Sequence, residues 1–182
     1  MKNAIAVIEF TTISTGIKAA DIMAKTASIE IIESMAVCPG KYMTVIAGLL
    51  SSITASIQAA INTCGDKHIS SYILGNPDES LIPAIYGSTK VECINALGVF
   101  ETFDAATAIM AADMAAKTAI INLIEIRLAK GMCGKSFVTL TGELSAVEAA
   151  INRAAVAAGD AGMLLDTCII PNPDKQLERF II

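Results

Sequence analysis

The sequence contains no tryptophan, and aromatic residues make up only 4% of its 182 positions. Charge is also sparse: charged residues account for 17%, there is one histidine, and the net charge is −5 at pH 7. Each scarcity excludes a class of function. Nucleic-acid binding calls for a basic face and stacking aromatics, and neither is visible. The lone histidine, His68, has no Cys or Asp at ligand spacing and reads as a solvated residue in a helix-to-strand turn. No apolar run approaches the ~18–20 residues that span a bilayer. Met1-Lys2-Asn3 leads straight into a strand pattern without a signal-peptide apolar core, so a cytosolic chain with no membrane partner is expected. Five cysteines, an odd number with no framework spacing, fit a reducing compartment. There is no Ser/His/Asp set, P-loop or dinucleotide fingerprint, and Gly40, Gly131 and Gly134 do not open a helix after a strand. The chain is not expected to be an enzyme.

What is abundant is apolar. Hydrophobic residues are 54% of the chain and mean hydropathy is +0.60. Two small domains have less interior than that composition fills, and surplus apolar surface points to contacts with other subunits. Alanine, which counts as hydrophobic, accounts for part of the excess.

The sequence is also duplicated. Ala4-Ile5-Ala6-Val7-Ile8-Glu9 is echoed by Ala96-Leu97-Gly98-Val99-Phe100-Glu101, and Asp21, Lys25 and Glu33 match Asp113, Lys117 and Glu125, each 92 residues later. After a two-residue insertion Gly40-Lys41 matches Gly134-Lys135, and after two more Asn76-Pro77-Asp78 matches Asn172-Pro173-Asp174. A period this long marks a duplicated domain, since solenoid units run to about 20–50 residues. The first domain is expected over 1–87 and the second over 93–182, with a polar linker around 87–95.

Each copy reads β-α-β-β-α-β, the ferredoxin-like split motif of the α+β class. In the first, 4–10 is a buried strand, and Ile13, Ile17, Ala20, Ala24 and Ala27 recur at helical spacing over about 14–27. Strands follow at 29–37 and 42–47. Ile53, Ile57, Ala60, Ile61 and Cys64 mark a second helix, which Gly65-Asp66 is expected to end in left-handed geometry. A strand at 69–75 and a short helix covering the edge complete the unit. The second copy repeats this as strand 96–102, helix 104–118, strands 120–129 and 136–141, helix 145–158, strand 163–170 and a tail over 173–182. Glu9 and Glu101 pair through the duplication alone, and Cys64 and Cys168 read as small core residues.

The turn between the second and third strands differs most between copies. Cys38-Pro39-Gly40-Lys41 stands against Lys130-Gly131-Met132-Cys133-Gly134-Lys135. Proline fixes φ and glycine permits positive φ, so Cys38 sits either on a rigid exposed tip or in a small structural pocket.

These segments resemble the bacterial microcompartment shell domain. Ala19-Ala20-Asp21-Ile22-Met23-Ala24-Lys25-Thr26-Ala27 and Ala111-Ala112-Asp113-Met114-Ala115-Ala116-Lys117-Thr118-Ala119 are similar to that family's helix signature. With Cys38-Pro39-Gly40-Lys41 in the first repeat, the chain resembles the tandem-domain subgroup best known from propanediol utilisation. The resemblance implies a homotrimer with pseudo-hexameric symmetry, tiled edge to edge with other shell proteins through Lys25 and Lys117, in a cytoplasmic microcompartment shell. It implies a central pore lined by Pro39, Gly40, Lys41, Met132, Cys133 and Gly134. It also implies one [4Fe–4S] cluster per trimer held by Cys38, with a lumen redox enzyme or a cytosolic electron carrier as candidate partners. The amides of Gly40 and Lys41 and the charge of Lys41 would then favour the anionic cluster. Cys133 departs from the subgroup, where glycine is expected, and stands as a second ligand, a bystander or a small turn residue. Two other readings compete: a metal-free structural or metabolite-gating tile, and a ferredoxin-like ligand-sensing regulator.

Overall fold

The computed structural model describes residues 3–181. Met1 and Lys2, at the start of the expected first domain, and Ile182, at the end of the expected tail, lie outside the described residues.

The first unit comprises β1 (Ala4–Phe10), α1 (Ile13–Thr26), β2 (Ile29–Val37), β3 (Lys41–Gly48), α2 (Leu50–Cys64) and β4 (His68–Gly75). Its four strands are antiparallel in the order β2-β3-β1-β4, the arrangement of the split β-α-β-β-α-β motif. β1 is central and buried along its whole length. Its Ala4, Ala6, Ile8 and Phe10 meet Ala19, Ala20 and Met23 of α1 and Ile53, Ile57, Ala60 and Cys64 of α2. Small residues let α1 lie close to the sheet: a Cβ at Gly16 would collide with the Tyr42 side chain. The second repeat solves the same contact the other way, with Ala108 at the position of Gly16 and Ser136 at the position of Tyr42.

The helix face of α1 differs from the one the periodicity suggested. The core stripe is Gly16, Ala19, Ala20 and Met23, whereas Ile13, Ile17 and Ala24 are exposed. The helix carries two apolar stripes, and the bulkier one faces outward. α2 buries Ile53, Ile57, Ala60 and Cys64 as expected, while Ile61 is only partly buried. Gly65 does not end it in left-handed geometry, because its φ is −63° and the chain continues into a 3-10 turn over Gly65–Lys67. The left-handed glycine at the matching end of the second repeat is Gly162.

The second unit holds α3 (Leu81–Ile85), β5 (Ala96–Thr102), α4 (Ala105–Thr118), β6 (Ile121–Arg127), β7 (Ser136–Gly142), α5 (Leu144–Asp160), β8 (Leu164–Pro171) and α6 (Lys175–Glu178). Its antiparallel sheet runs β6-β7-β5-β8. Asp104 caps α4 by accepting from the Thr107 amide at 3.1 Å. Both repeats carry a bulge at the same place in the outer strand, between Ile31 and Glu33 and between Leu123 and Glu125. The conservation of that irregularity between copies shows how closely the backbone was duplicated.

The two compact units divide at Pro77/Asp78. The segment expected to close the first domain instead packs its helix, α3, on β6 and α4. The reason is local: the Asp78 amide donates to the Asp113 carboxylate of α4 at 2.8 Å, and Leu81 and Ala84 are fully buried. Linker residues Val91 and Ile94 join Leu97, Ile124, Ile170 and Ile181 in a further apolar cluster.

Packing at the centre of the second sheet is tight. A Cβ at Gly98 would lie 2.8 Å from Leu140 Cδ1 and 2.9 Å from both Ile151 Cγ1 and Val147 Cγ1. Gly98→Val should therefore lower stability by about 1–3 kcal/mol despite the strand preference of valine. Gly75→Ala, with nothing within 4 Å of the added carbon, should be neutral or slightly stabilising. Denaturant midpoints of the two variants check this.

Candidate functional site

The first-repeat turn is short because β2 and β3 pair as far as Val37 and Lys41. Cys38, Pro39 and Gly40 form the tip, with a cis peptide between Cys38 and Pro39. Gly40 has φ +90°, a conformation glycine adopts freely, and nothing lies within 4 Å of a carbon added there. Cys38 is half-buried, and Pro39 and Gly40 are exposed.

Two features alter the electrostatics expected of this tip. The Gly40 amide is engaged, donating to the Val37 carbonyl at 3.0 Å. Lys41 turns back along the sheet, its Nζ 3.3 Å from Oε2 of the buried Glu9. Within one chain Lys41 is thus largely neutralised by a carboxylate, and Glu9 has a structural role that the duplication did not suggest.

The second-repeat turn is longer. Its ladder ends at Arg127 and Phe137, leaving 128–135 as a loop. The Lys135 amide donates to the Met132 carbonyl at 3.0 Å, and the Ala129 amide donates to Ser136 Oγ at 3.1 Å. Cys133 has φ +54° and Gly134 φ +90°. Cys133 therefore holds a left-handed backbone that suits glycine, which costs a side-chain-bearing residue roughly 1–2 kcal/mol. This accounts physically for the glycine expected there. Cys133 is exposed, and Met132 and Gly134 are half-buried.

The remaining cysteines divide differently from the sequence reading. Cys64 is buried in the α2 face as expected, but Cys168 is exposed. β8 is an edge strand, and Cys168 shares its outward face with Asp166. Cys93 in the linker is exposed, with its Sγ 3.9 Å from Asn95 Oδ1. Among the described residues of a single chain, no three His, Cys, Asp or Glu side chains group to hold a metal ion.

His68 is not a solvated turn residue. It opens β4 opposite Phe10, and the two rings meet edge to face with centroids 6.0 Å apart. Lys25 and Lys117 each bind the acid one turn back, Asp21 and Asp113, at 2.7 Å. The first pair is exposed. In the second, Asp113 is buried and also receives the Asp78 amide. Exposed i,i+4 pairs contribute only about 0.3–0.5 kcal/mol, so the Asp21–Lys25 pair leaves Lys25 available for other contacts.

Sequence and structure comparisons agree with this architecture. The BMC domain model matches residues 4–77 and again 96–173. The chain is 32% identical over 182 residues to the bacterial microcompartment shell protein PduT of Citrobacter freundii, covering 100% of this chain and 99% of that one. A crystal structure of a microcompartment protein from Desulfitobacterium hafniense DCB superimposes with TM-score 0.95 at 39% identity, over 98% of this chain and 99% of the other. The fused permuted hexameric shell protein of the RMM microcompartment shares the fold, with TM-score 0.62 at 20% identity over 85% of this chain and 81% of that one. Two BMC domains in succession, matched along the full length, place this chain in the BMC family: it belongs to the tandem-domain shell proteins of bacterial microcompartments, structural parts of a shell in the bacterial cytoplasm and not enzymes.

Proposed function

We propose that this shell protein is a homotrimeric tile, pseudo-hexameric in outline, in which three Cys38 thiolates share a single [4Fe–4S] cluster at the central pore. The carrying observation is the placement of Cys38: a half-buried thiol on a short turn tip, once per chain. A cyclic three-fold brings equivalent atoms to one axis, so three soft donors can converge although the described residues of one chain hold no metal-binding group. The donor set fits an iron–sulfur cluster in kind and falls one short of the usual four cysteines, so one iron takes a ligand from elsewhere. When bound, the cluster supplies one-electron transfer, suited to passage across the shell or to cluster delivery to a lumen enzyme.

The chain's own residues have defined parts in this reading. Gly40 gives the tip its positive φ, and Pro39 and Gly40 form its exposed surface. Lys41 is held by Glu9, so it orders the base of the turn more than it presents free charge to the pore. Met132, Cys133 and Gly134 are assigned to the same pore, with Cys133 a bystander. Lys25 and Lys117 are assigned to contacts between neighbouring tiles. A metal-free structural or gating tile is the second reading, favoured by the engaged Gly40 amide and the neutralised Lys41, which remove two of the expected stabilisers of an anionic cluster.

Anaerobic purification with iron and sulfide analysis separates the readings. About four irons and four sulfides per three chains are expected. A colourless protein with little iron after reconstitution would favour the metal-free tile. Cys38→Ser should abolish the visible absorbance and leave the oligomer unchanged, while Cys133→Ser should retain the colour. Lys41→Met should lower unfolding stability by about 1–3 kcal/mol, because it leaves the Glu9 carboxylate buried without its partner. Lys25→Met at an exposed pair should stay within about 0.5 kcal/mol.

A further inference from the structure

In the second unit the linker forms one wall of a small polar cleft that the fold itself does not require. Alternation along β7 sets its floor. A Cβ at Gly98 would meet Leu140 of β7 together with Val147 and Ile151 of α5, so Leu140 faces the helices while Thr139 and Thr141 face the other way. The linker lies over that second face: Val91 and Ile94 pack with Leu97, which stands opposite Thr141 in the sheet. Beside this contact is a cleft of about 330 Å³ whose lining includes Lys90, Glu92, Cys93, Asn95, Asn122 and Thr141. That volume is at the small end of ligand sites, which span about 300–1,000 Å³.

Four polar groups around the cleft are unengaged. Thr141 is 2% exposed, and its Oγ1 has no hydrogen-bond partner among the described residues. A buried hydroxyl in that state costs stability, which an apolar residue of the same shape would restore. The first repeat makes that replacement: Ala47 stands at the position of Thr141, and Val45 at that of Thr139, whose hydroxyl is likewise buried and unpartnered. The sheet therefore has no need of a hydroxyl at 141. At the rim Lys90 and Glu92 are exposed, and among the described residues neither is ion-paired, to the other or elsewhere. The Asn122 carboxamide also lacks a side-chain hydrogen bond among the described residues. Asn95 is already occupied, with its Nδ2 3.4 Å from Glu143 Oε1 and its Oδ1 3.9 Å from Cys93 Sγ.

We propose that this cleft binds a free α-amino acid, its carboxylate at Lys90, its ammonium at Glu92 and a polar side chain at Thr141 and Asn122. The rim charges select the class. A simple anion suits Lys90 and is repelled by Glu92, a simple cation meets the reverse, and a zwitterion satisfies both. The floor selects the side chain. Thr141 and Asn122 each donate and accept, which fits a hydroxyl or a carboxamide, whereas an apolar side chain would leave Thr141 unpaired. The ligand is thus of the serine, threonine, asparagine or glutamine type. The site lies wholly within the second unit and depends on neither the cluster nor the trimer.

The test is a ligand-observed NMR titration of the full-length protein with L-serine, L-threonine, L-asparagine and L-glutamine, against L-alanine, acetate and methylammonium. At least one of the four is expected to bind with a Kd of about 1 mM or tighter, and about tenfold or more tighter than L-alanine or either singly charged probe. Thr141→Val is expected to weaken that binding about tenfold while raising the Tm of the ligand-free protein. Glu92→Gln, at an exposed side chain, is expected to weaken it by a similar factor with unchanged circular dichroism. Absence of binding by all four at about 10 mM would overturn the proposal, as would acetate binding as tightly as the amino acids. A Thr141→Val protein that binds unchanged, or that unfolds at a lower temperature, would equally contradict it by showing that the hydroxyl serves the fold and not a ligand.

Discussion

The docking of the segment after Pro77 onto α4 and β6 governs much of the rest of this structure. A β-α-β-β-α-β unit has one helix-covered face, and its outer helix and edge strand keep an apolar flank that the motif itself does not bury. In the second repeat that flank is covered by Leu81, Ala84 and the Asp78–Asp113 hydrogen bond. In the first it is bare at Ile17 and Ile31. The same contact explains why the compact units divide at Pro77/Asp78, and why so apolar a chain leaves large side chains exposed.

The functional consequences follow from what a repeated, outward-facing unit can do. The family assignment rests on two matched BMC domains and makes the protein a shell component. Its chemistry, as proposed, depends on symmetry and not on a site built within one chain. Cys38 is at the tip of a tight turn, which is where a thiol must be if copies of it are to meet. The Glu9–Lys41 pair steadies the base of that turn at the expense of free positive charge near the thiol. Any cluster held there would thus depend more on its sulfur ligands than on the lysine.

Much of the fold was legible because the duplication supplied two independent readings of each element. Strands β1, β2 and β5 match their expected limits, and the other main elements differ by a few residues. The α1 core face was not legible, because Ile13 and Ile17 outweigh Gly16, Ala19 and Ala20 in any hydrophobicity count, yet only small residues fit against Tyr42. The packing of the short helix α3 was not legible either: it reads as a cap, but sequence does not say which unit it caps. Cys168 was misplaced because an edge strand buries less than its composition suggests. At the candidate site, Cys38, Gly40 and the irregular Cys133 stood out as turn chemistry. The capture of Lys41 by Glu9 joins residues 32 positions apart and has no local signature.

The most direct measurement is the iron and sulfide content of the anaerobically purified protein, with and without Cys38→Ser. The account predicts about four irons and four sulfides per three chains, lost in the variant. A protein that stays colourless and nearly iron-free after reconstitution would contradict it.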